Sequence, residues 1–489
     1  LGMMCLPAGA KTHHRRHRPK PLKVQIAKLL TDPAMAQAHW GIAVTSMDGK
    51  PIYSMNEGQL FQPASNAKLF TTAAAMALLG PATTFETQVV AKGVWSGSGT
   101  LTGDVVLVGA GDANLSGREI PYVSPEVIAE RKKAGVETVE TDPLRYLEQM
   151  ADQVANTRLK VVNGDVVGDD TLFPWEPYPE DWAIDDALWG YGAPVSALTV
   201  NDNRIKVTIT PGDEAGNPAA AVVDPAVPYY TLDVSATTGA VGSARSIGVD
   251  RSPGSKVLRI YGTIAAGAEP DVEEVAIEDP AEYAAIALKQ MLEARGIRVT
   301  GKARAEHRIS CDTASFLSET REEIPGFDPL KHYNSQASSR FGSGCGDHCG
   351  PSHLPVEQLL ASQVSTPLVE DVVVTNKVSQ NLHAELLLHH LGVAVLGDGS
   401  TAAGARVVRT FLENIGVGKD DFVFFDGSGL SGHDLVAPRA TVKLLQYASG
   451  QPWFADWKRS LPVGGEDGSL ADRFRKEPLK DHVFAKTGT

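Results

Sequence analysis

Ser65 and Lys68 form a Ser-x-x-Lys motif at the start of a segment rich in alanine and leucine. Residues three positions apart share one face of a helix, so the amine of Lys68 could take the proton from the Ser65 hydroxyl. A lysine acts as a base only when it is neutral, which requires burial or a neighbouring positive charge. A helix N-terminus also favours negative charge that develops at the serine. The motif therefore predicts a serine nucleophile with a lysine base.

Two further motifs follow in order along the chain. Ser379 and Asn381 form a Ser-x-Asn motif ahead of an apolar helical segment, and Lys486, Thr487 and Gly488 form a Lys-Thr-Gly motif after a short β-like run. Each motif alone has a purely structural explanation, as a surface helix, a helix cap or a solvated strand end. The three together, in this order and context, favour a serine acyl-transfer enzyme.

Other hydrolytic machineries are not indicated. The chain contains neither the Gly-x-Ser-x-Gly elbow of α/β-hydrolases nor the His-Glu-x-x-His helix of zinc proteases. Cys345, His348, Cys349 and His353 could form a small zinc site, although their spacing is not that of a standard finger. A local disulfide or free thiols on a glycine-rich loop is the favoured alternative. We therefore expect no metal and no cofactor.

Composition limits the class of protein. The 489 residues are 43% hydrophobic and 21% charged, which is typical of a globular chain of two or three domains. A formal net charge of −14 argues against nucleic-acid binding, which needs a basic surface. Four cysteines are too few for a disulfide scaffold. The sequence contains no apolar stretch long enough for a transmembrane helix.

The first residues resemble a targeting segment. Residues 1–10 are apolar and end in Ala8-Gly9-Ala10, and residues 11–23 are basic. We interpret residues 1–23 as the remnant of a secretory signal peptide and a basic linker, the alternative being an apolar, disordered stub. This interpretation predicts export to the periplasm or the extracytoplasmic cell envelope, and leaves peripheral association with membrane or wall open.

Periodicity and turn residues predict the elements that must position the motifs. A hairpin is expected over 40–54 around Asp48-Gly49, and a helix from Ser65 to Gly80. Helical patterns recur toward the C-terminus and short β-like runs dominate between. The helical stretches are 281–295, 366–391, 402–415 and 438–450, and the β-like runs include 105–108, 159–162, 205–209, 257–260 and 483–485.

This alternation predicts a discontinuous catalytic domain interrupted by mainly β inserted domains. The catalytic domain would be of the α/β class, with helices packed on an antiparallel sheet and Ser65 at the start of a central helix. The predicted limits are 24–90 plus 357–489 for the catalytic domain and 91–356 for the inserted region, itself divided into 91–112 plus 196–356 and a nested 113–195.

The three motifs match the penicillin-recognising serine enzymes. From about residue 24 to the end, the chain most resembles the class C low-molecular-mass penicillin-binding proteins, which are D-Ala-D-Ala carboxypeptidases and endopeptidases with a large insertion after the first motif. The 314 residues between Ser65 and Ser379 leave room for such an insertion. Further segments support the resemblance: 107–112, 191–198, 201–203, 426–431 and 461–465.

The resemblance implies roles for the first two motifs. Ser65 would attack the carbonyl of the penultimate D-Ala of a peptidoglycan stem peptide and form an acyl-enzyme, and Lys68 would take its proton. Ser379 would relay a proton to the leaving amine, while Asn381 would hold Lys68 and the substrate amide. Water would then release the peptide, and β-lactams would acylate the same serine.

The resemblance also implies roles for the third motif. Lys486 and Thr487, in the substrate-binding segment with Gly488 and Thr489, would bind the terminal carboxylate, and the charge of Lys486 would help to keep Lys68 neutral. The backbone N–H groups of the nucleophile and Thr489 would form the oxyanion hole. Chains of this family usually continue with further strands after this motif, so we expect the present sequence to be incomplete and its last strand to lie at a sheet edge.

Three other functions remain to be weighed. A wall-binding or assembly module on the same fold would not be labelled covalently by a β-lactam. A β-lactamase or esterase would release bound penicillin quickly. A zinc hydrolase would lose activity with a chelator.

Overall fold

The computed structural model describes residues 21–136, 142–310, 314–333 and 357–489. Most of the predicted signal-peptide remnant, the four cysteines and the two candidate zinc-binding histidines lie outside these ranges. Within the described ranges, no helix is long and apolar enough to cross a membrane. The same residues contain no group of three or more His, Cys, Asp or Glu side chains suited to a metal ion.

Helices and strands alternate irregularly along the chain. The helices are α1 Leu22–Leu30, α2 Ala67–Leu78, α3 Pro125–Lys133, α4 Arg145–Ala155, α5 Pro280–Ala294, α6 Phe316–Glu319, α7 Leu368–Lys377, α8 Asn381–Leu396, α9 Thr401–Asn414, α10 Pro438–Ser449 and α11 Phe454–Arg459. The strands are β1 Ile42–Thr45, β2 Pro51–Met55, β3 Glu86–Trp95, β4 Thr100–Val108, β5 Val161–Asn163, β6 Val166–Pro174, β7 Arg204–Thr210, β8 Ala220–Asp224, β9 Thr231–Val234, β10 Thr237–Gly239, β11 Gly248–Asp250, β12 Val257–Tyr261, β13 Thr263–Ala265, β14 Asp271–Ala276, β15 Arg298–Val299, β16 Ala303–Arg308, β17 Glu357–Val364, β18 Phe422–Val423 and β19 Leu435–Val436.

Helix α2 lies at the centre of the helical part of the molecule. Every residue from Ala67 to Leu78 is buried, because small alanines allow α7, α8, α9, α10 and α11 to pack closely around it. The helix ends before Gly80, whose φ of +89° suits a residue without a Cβ. Phe70, Phe411 and Trp457 are among the large side chains that fill this core. The predicted central helix is therefore present.

The predicted hairpin is also present. Strands β1 and β2 pair antiparallel, with Ile42 opposite Met55, and α10 packs against β1. Gly49 in the turn has a φ of +84°. Helix α10 thus lies against a short antiparallel sheet.

The longer strands form a separate seven-stranded sheet. Its order is β15-β5-β4-β3-β17, with β6 pairing both β4 and β16. The pairs β3–β4 and β3–β17 are antiparallel, whereas β4 runs parallel to β5 and β6. Helices α4 and α5 pack against this sheet, and α5 is capped by Asp279, which accepts from the backbone N–H of Glu282 at 2.9 Å. Smaller β units, including β14-β7-β8 and β11-β12-β9, extend the β region.

The α/β class with an additional β region is therefore confirmed, while one element prediction is wrong. The stretch 366–391, predicted to be helical, consists of two helices, α7 and α8, and the chain turns between them at Ser379, whose φ is +63°. Among the described residues, Phe484 pairs only with Val463, as a single antiparallel bridge. The strand predicted over 483–485 therefore does not form. The limits of the domains stay a prediction.

Candidate active site

Ser65 lies in a short 3₁₀ turn, Ala64–Asn66, that leads directly into α2. Ala64 has a φ of +45°, a strained value for a residue with a Cβ, and the backbone N–H of Asn66 donates to the Pro63 carbonyl at 3.1 Å. The turn tightens the chain just before the helix. It sets the Ser65 hydroxyl beside the first residues of α2, where Lys68 is 0% exposed.

The Lys68 amine has three neighbours. Its Nζ lies 3.0 Å from Ser65 Oγ, 2.6 Å from Asn381 Oδ1 and 2.7 Å from the Ser428 carbonyl oxygen. Asn381 Nδ2 donates to the Tyr191 carbonyl at 2.9 Å, which fixes Oδ1 toward the lysine. The Asn381 and Ser428 oxygens can only accept hydrogen bonds, so a neutral Lys68 amine donates its two N–H groups to them. The lone pair of that amine then faces the hydroxyl of Ser65, as proton transfer requires.

The surroundings of Lys68 favour its neutral form. Burial lowers the pKa of Lys68 most, and the positive charge of Lys486 lowers it further. The carboxyl groups of Asp426, Glu385 and Asp434 act in the opposite direction, and the resulting pKa is about 7. The pKa of the Lys68 amine therefore lies close to neutral pH, and a group with such a pKa is best suited to act as a general base at that pH.

Burial also reduces the negative charge around the lysine. It raises the pKa of Glu385 to about 8 and the pKa of Asp434 well above its usual value, and Asp426 raises both further. Asp426 in turn accepts from the backbone N–H groups of Gly429 and Ser431 at 2.6 and 2.7 Å, and from the Trp182 indole at 2.9 Å. The Asp426 carboxylate thus holds the loop that presents the Ser428 carbonyl to Lys68.

The second motif sits on the connection between α7 and α8. Asn381 is the first residue of α8, and Gln380 caps that helix by accepting from the backbone N–H of Leu382 at 3.2 Å. Ser379 occupies the left-handed region, which costs a residue other than glycine on the order of 1–3 kcal/mol. Such strain persists where the surroundings fix the backbone, and here it presents the Ser379 hydroxyl to Lys486.

The third motif meets the second through its lysine. Lys486 Nζ donates to Ser379 Oγ at 2.8 Å and to the Thr487 carbonyl at 2.9 Å. Burial lowers the pKa of Lys486 to about 8. The Thr487 hydroxyl is 2.8 Å from the hydroxyl of Ser469. A charged amine and three hydroxyl groups therefore lie around the third motif, and donors of this kind are suited to bind a carboxylate.

Gly488 brings the third motif against the turn that carries Ser65. A Cβ on Gly488 would lie 2.5 Å from the Pro63 carbonyl oxygen and 2.8 Å from Asn66 Nδ2. Only a residue without a side chain allows this approach. The segment 486–489, which ends with Thr489, therefore lies beside the 3₁₀ turn of Ser65.

A cavity of about 710 Å³ opens beside the second motif. Ser379 and Asn381 line one side, and Trp189 and Tyr191 line another. This volume is within the range of about 300–1,000 Å³ that small-molecule sites usually have. The cavity is large enough for part of a peptide and reaches Ser379 and Asn381, whereas Ser65 and Lys486 are not among the residues that line it.

All eight predicted site residues lie in the described part of the chain, and hydrogen bonds join Lys68 to Ser65 and Asn381 and Lys486 to Ser379. Sequence reasoning missed the carbonyl groups of Ser428 and Tyr191, since backbone acceptors carry no residue-type signal. It also missed the buried carboxyl groups around Lys68. Their signal was polar residues inside apolar segments, such as Glu385 within α8.

The two lysine pKa values predict a narrow, bell-shaped pH dependence of serine acylation. Below a pH of about 7, Lys68 is protonated and cannot accept the Ser65 proton, so the rate falls as pH falls. Above a pH of about 8, Lys486 loses the charge that attracts a carboxylate, so the rate falls again. Stopped-flow acylation by a fluorescent penicillin measures both limbs of the profile. Because the two lysines interact, the two apparent pKa values describe the pair and not either lysine alone. A rate that stays flat across both values would contradict this assignment.

Gly429 allows the Asp426 loop to approach the turn that carries Ser65. Its φ is +81°, and a Cβ there would lie 1.9 Å from the Ala64 carbonyl oxygen. We expect Gly429→Ala to shift the Ser65 turn and slow acylation by about 10²-fold, the usual effect of an ångström-scale misplacement. Gly267→Ala is the matched control, because Gly267 has a φ of +73° with no atom within 4 Å of its Cβ position. Equal losses in both variants would mean that backbone strain alone is responsible.

The chain matches the D-Ala-D-Ala carboxypeptidase 3 (S13) family over residues 22–319 and 352–489. It is 32% identical over 480 residues to a D-alanyl-D-alanine carboxypeptidase of Actinomadura sp. (strain R39), which covers 96% of this chain and 76% of that protein. It is 22% identical over 468 residues to the D-alanyl-D-alanine carboxypeptidase DacB of Haemophilus influenzae, covering 94% of this chain and 82% of that one.

Solved structures show the same fold. The crystal structure of penicillin binding protein 4 (dacB) from Haemophilus influenzae matches with a TM-score of 0.70 at 21% identity, covering 92% of this chain and 84% of that chain. The structure of the same protein complexed with a novel β-lactam matches with a TM-score of 0.64. Both comparisons extend over the helical part and the β region.

Proposed function

The chain belongs to the D-Ala-D-Ala carboxypeptidase 3 (S13) family, and on this premise we propose that it hydrolyses the terminal peptide bond of D-Ala-D-Ala-ended stem peptides of peptidoglycan. The observation that carries this proposal is the contact of Lys68 Nζ with Ser65 Oγ at 3.0 Å. The two N–H groups of a neutral Lys68 amine are already bonded to two acceptor oxygens, so its lone pair is left for the Ser65 hydroxyl. A base so oriented is suited to acyl transfer through a serine ester.

In the proposed reaction, Lys68 accepts the Ser65 proton as Oγ attacks the carbonyl of the penultimate D-Ala. The bond from that carbonyl carbon to the leaving nitrogen breaks as Ser379 gives its hydroxyl proton to this nitrogen and takes the proton that Lys68 had accepted, so D-Ala departs and Lys68 is neutral again. Water then gives a proton to Lys68 and adds to the ester carbonyl. The proton returns to Ser65 Oγ as the ester bond breaks, which releases the shortened peptide and restores the Ser65 hydroxyl. No cofactor takes part in these steps.

Three groups would hold the substrate during this reaction. The Lys486 amine and the Thr487 hydroxyl bind the terminal carboxylate, and the Asn381 side chain contacts the substrate amide. The backbone N–H groups of Ser65 and Thr489 stabilise the oxyanion. The close approach that Gly488 permits between the third motif and the Ser65 turn supports this last assignment.

β-Lactams are the expected inhibitors, since their strained amide carbonyl presents the same target to the serine. A β-lactam was bound in the related Haemophilus influenzae structure. Because peptidoglycan is built outside the cytoplasmic membrane, we further propose that the protein acts in the periplasm or the extracytoplasmic envelope.

Release of D-alanine from a synthetic pentapeptide that ends in D-Ala-D-Ala tests the proposal. We expect release that is blocked by benzylpenicillin and absent from the Ser65→Ala variant. A parallel reaction with a cross-linked dimer compares endopeptidase with carboxypeptidase action. Rapid hydrolysis of benzylpenicillin without release of D-alanine would instead identify a β-lactamase, and absence of both activities and of covalent labelling would identify a binding module.

A further inference from the structure

A cluster of charged and polar side chains, buried except for two partly exposed arginines, lies next to the connection that carries Ser379 and Asn381. We call it the Asp202 cluster. Its members are Arg118, Asp202, Arg204, Asp371, Gln380 and His383.

Asp202 is the hub of this cluster. Its Oδ1 lies 3.1 Å from His383 Nε2, and its Oδ2 accepts from Gln380 Nε2 at 3.1 Å. The guanidinium groups of Arg118 and Arg204 lie 2.5 and 3.2 Å from the same Oδ2. Burial alone would raise the pKa of Asp202, but Arg118, His383 and Arg204 outweigh burial and hold it well below its usual value. The hub is therefore a carboxylate with four donors.

His383 joins this hub to both helices that flank Ser379. It belongs to the first turn of α8, and its Nδ1 lies 2.5 Å from Oδ1 of Asp371 on α7. Burial lowers the pKa of His383, but the Asp371 and Asp202 carboxylates outweigh it and raise the pKa to about 9. The imidazolium is thus held between two carboxylates, one on α7 and one outside both helices.

The segment that carries Asp202 is itself firmly fixed. Asn201, Asp202 and Asn203 have φ values of +52°, +55° and +53°, which residues with side chains rarely adopt. Asn203 Nδ2 donates to the Pro194 carbonyl at 2.9 Å, and its Oδ1 accepts from the Val200 backbone N–H at 3.0 Å. This segment leads into β7, so the cluster ties the β region to the helices of the active site.

We propose that Asp202 is a positioning residue for acyl transfer, which holds Ser379 and Asn381 in register with Lys486 and Lys68 through its contacts with Gln380 and His383. This inference rests on the proposed function. The Asp202 and His383 side chains are 3% and 0% exposed, so neither reaches a substrate. They act by fixing the first turn of α8.

The consequence for the base is direct. Asn381 Oδ1 lies 2.6 Å from Lys68 Nζ, and Ser379 Oγ lies 2.8 Å from Lys486 Nζ. Release of Gln380 from Asp202 lets the connection relax from the left-handed conformation of Ser379. Both lysine contacts then lengthen, and the lone pair of Lys68 is no longer directed at the nucleophile.

The test compares His383→Gln and Gln380→Glu with a matched control. Gln380→Glu keeps the oxygen that caps α8 but places a second carboxyl group beside Asp202, so it disturbs only this contact. It therefore still tests the proposal if His383→Gln folds poorly. His307→Gln is the control, because His307, on β16 of the large sheet, also lies between two carboxylates, 2.8 Å from Asp170 and 3.2 Å from Asp279. Each full-length variant is assayed for melting temperature and for acylation by a fluorescent penicillin over a range of concentrations.

We expect the acylation rate constant to fall at least about tenfold in both cluster variants, while the dissociation constant of the non-covalent complex changes less than about threefold. His307→Gln should keep the wild-type rate constant even where it lowers the melting temperature as much. Wild-type acylation in folded Gln380→Glu, or an equal loss in His307→Gln, would overturn this inference alone. Failure of the unmodified protein to be acylated would overturn the proposed function instead.

Discussion

Replacement of Lys68 by methionine is expected to slow acylation by penicillin by about 10³-fold, within the range that general-base catalysis supplies. The variant keeps the volume of the buried side chain and removes the only amine in contact with Ser65 Oγ among the described residues. Loss of the Lys68 amine should not unfold the chain, because burial raises the pKa of the nearby Glu385 and Asp434 carboxyl groups and so disfavours the negative charges that the amine would otherwise balance.

Lys68→Arg completes this test. It restores a positive charge and hydrogen bonds to Asn381 and Ser428, but a guanidinium does not lose its proton at accessible pH. If Lys68 acts as a base, the arginine variant is as slow as the methionine variant. If Lys68 only positions its neighbours by charge, the arginine variant recovers much of the rate, and the assignment is wrong.

Replacement of Lys486 by alanine is expected to lower kcat/KM for a D-Ala-D-Ala peptide by about 10²-fold, as loss of one preorganised donor usually does. Two effects combine. The variant loses the charge that we propose binds the terminal carboxylate, and it leaves the Ser379 hydroxyl without its 2.8 Å partner. The same charge depresses the pKa of Lys68, so its removal should also move the acid limb of the pH profile to higher pH.

The shift of the pH profile distinguishes this role from simple binding. If Lys486 only bound the carboxylate, KM would rise and the acid limb would stay in place. The alkaline limb assigned to Lys486 should disappear from the variant in any case. Thr487→Val is a useful companion, because it removes a hydroxyl from the same segment without changing charge, and should leave the acid limb unmoved.

The motifs and their helices could be predicted from sequence because they depend on local order. The Ser65–Lys68 spacing implies contact on any helical turn, and the alanine-rich run up to Leu78 has few alternatives to a buried helix. The Ser-x-Asn motif indicated a helix that begins near Asn381, but the left-handed conformation of Ser379 could not be predicted in the same way. Helix α8 is apolar on nearly all sides, the break contains neither glycine nor proline, and a serine rarely adopts a positive φ.

Contacts between distant segments were beyond the reach of sequence. The Asp202 contact with His383 joins residues 181 positions apart, and the β4 strand pairs β3, β5 and β6, a choice that depends on packing of the whole β region. One signal was nevertheless available. Histidines and a glutamate inside the apolar α8 segment must find buried partners, so His383 and Glu385 could have been marked as members of polar networks.

Peptide mapping by mass spectrometry after brief exposure to benzylpenicillin tests the central claim most directly. The unmodified chain should carry one penicilloyl group, on the peptide that contains Ser65, and the Ser65→Ala variant should carry none. Ser469→Ala, which alters a hydroxyl beside Thr487, should still be labelled at Ser65. A penicilloyl group on another residue, or equal labelling of the Ser65→Ala variant, would contradict the assignment of Ser65 as the nucleophile.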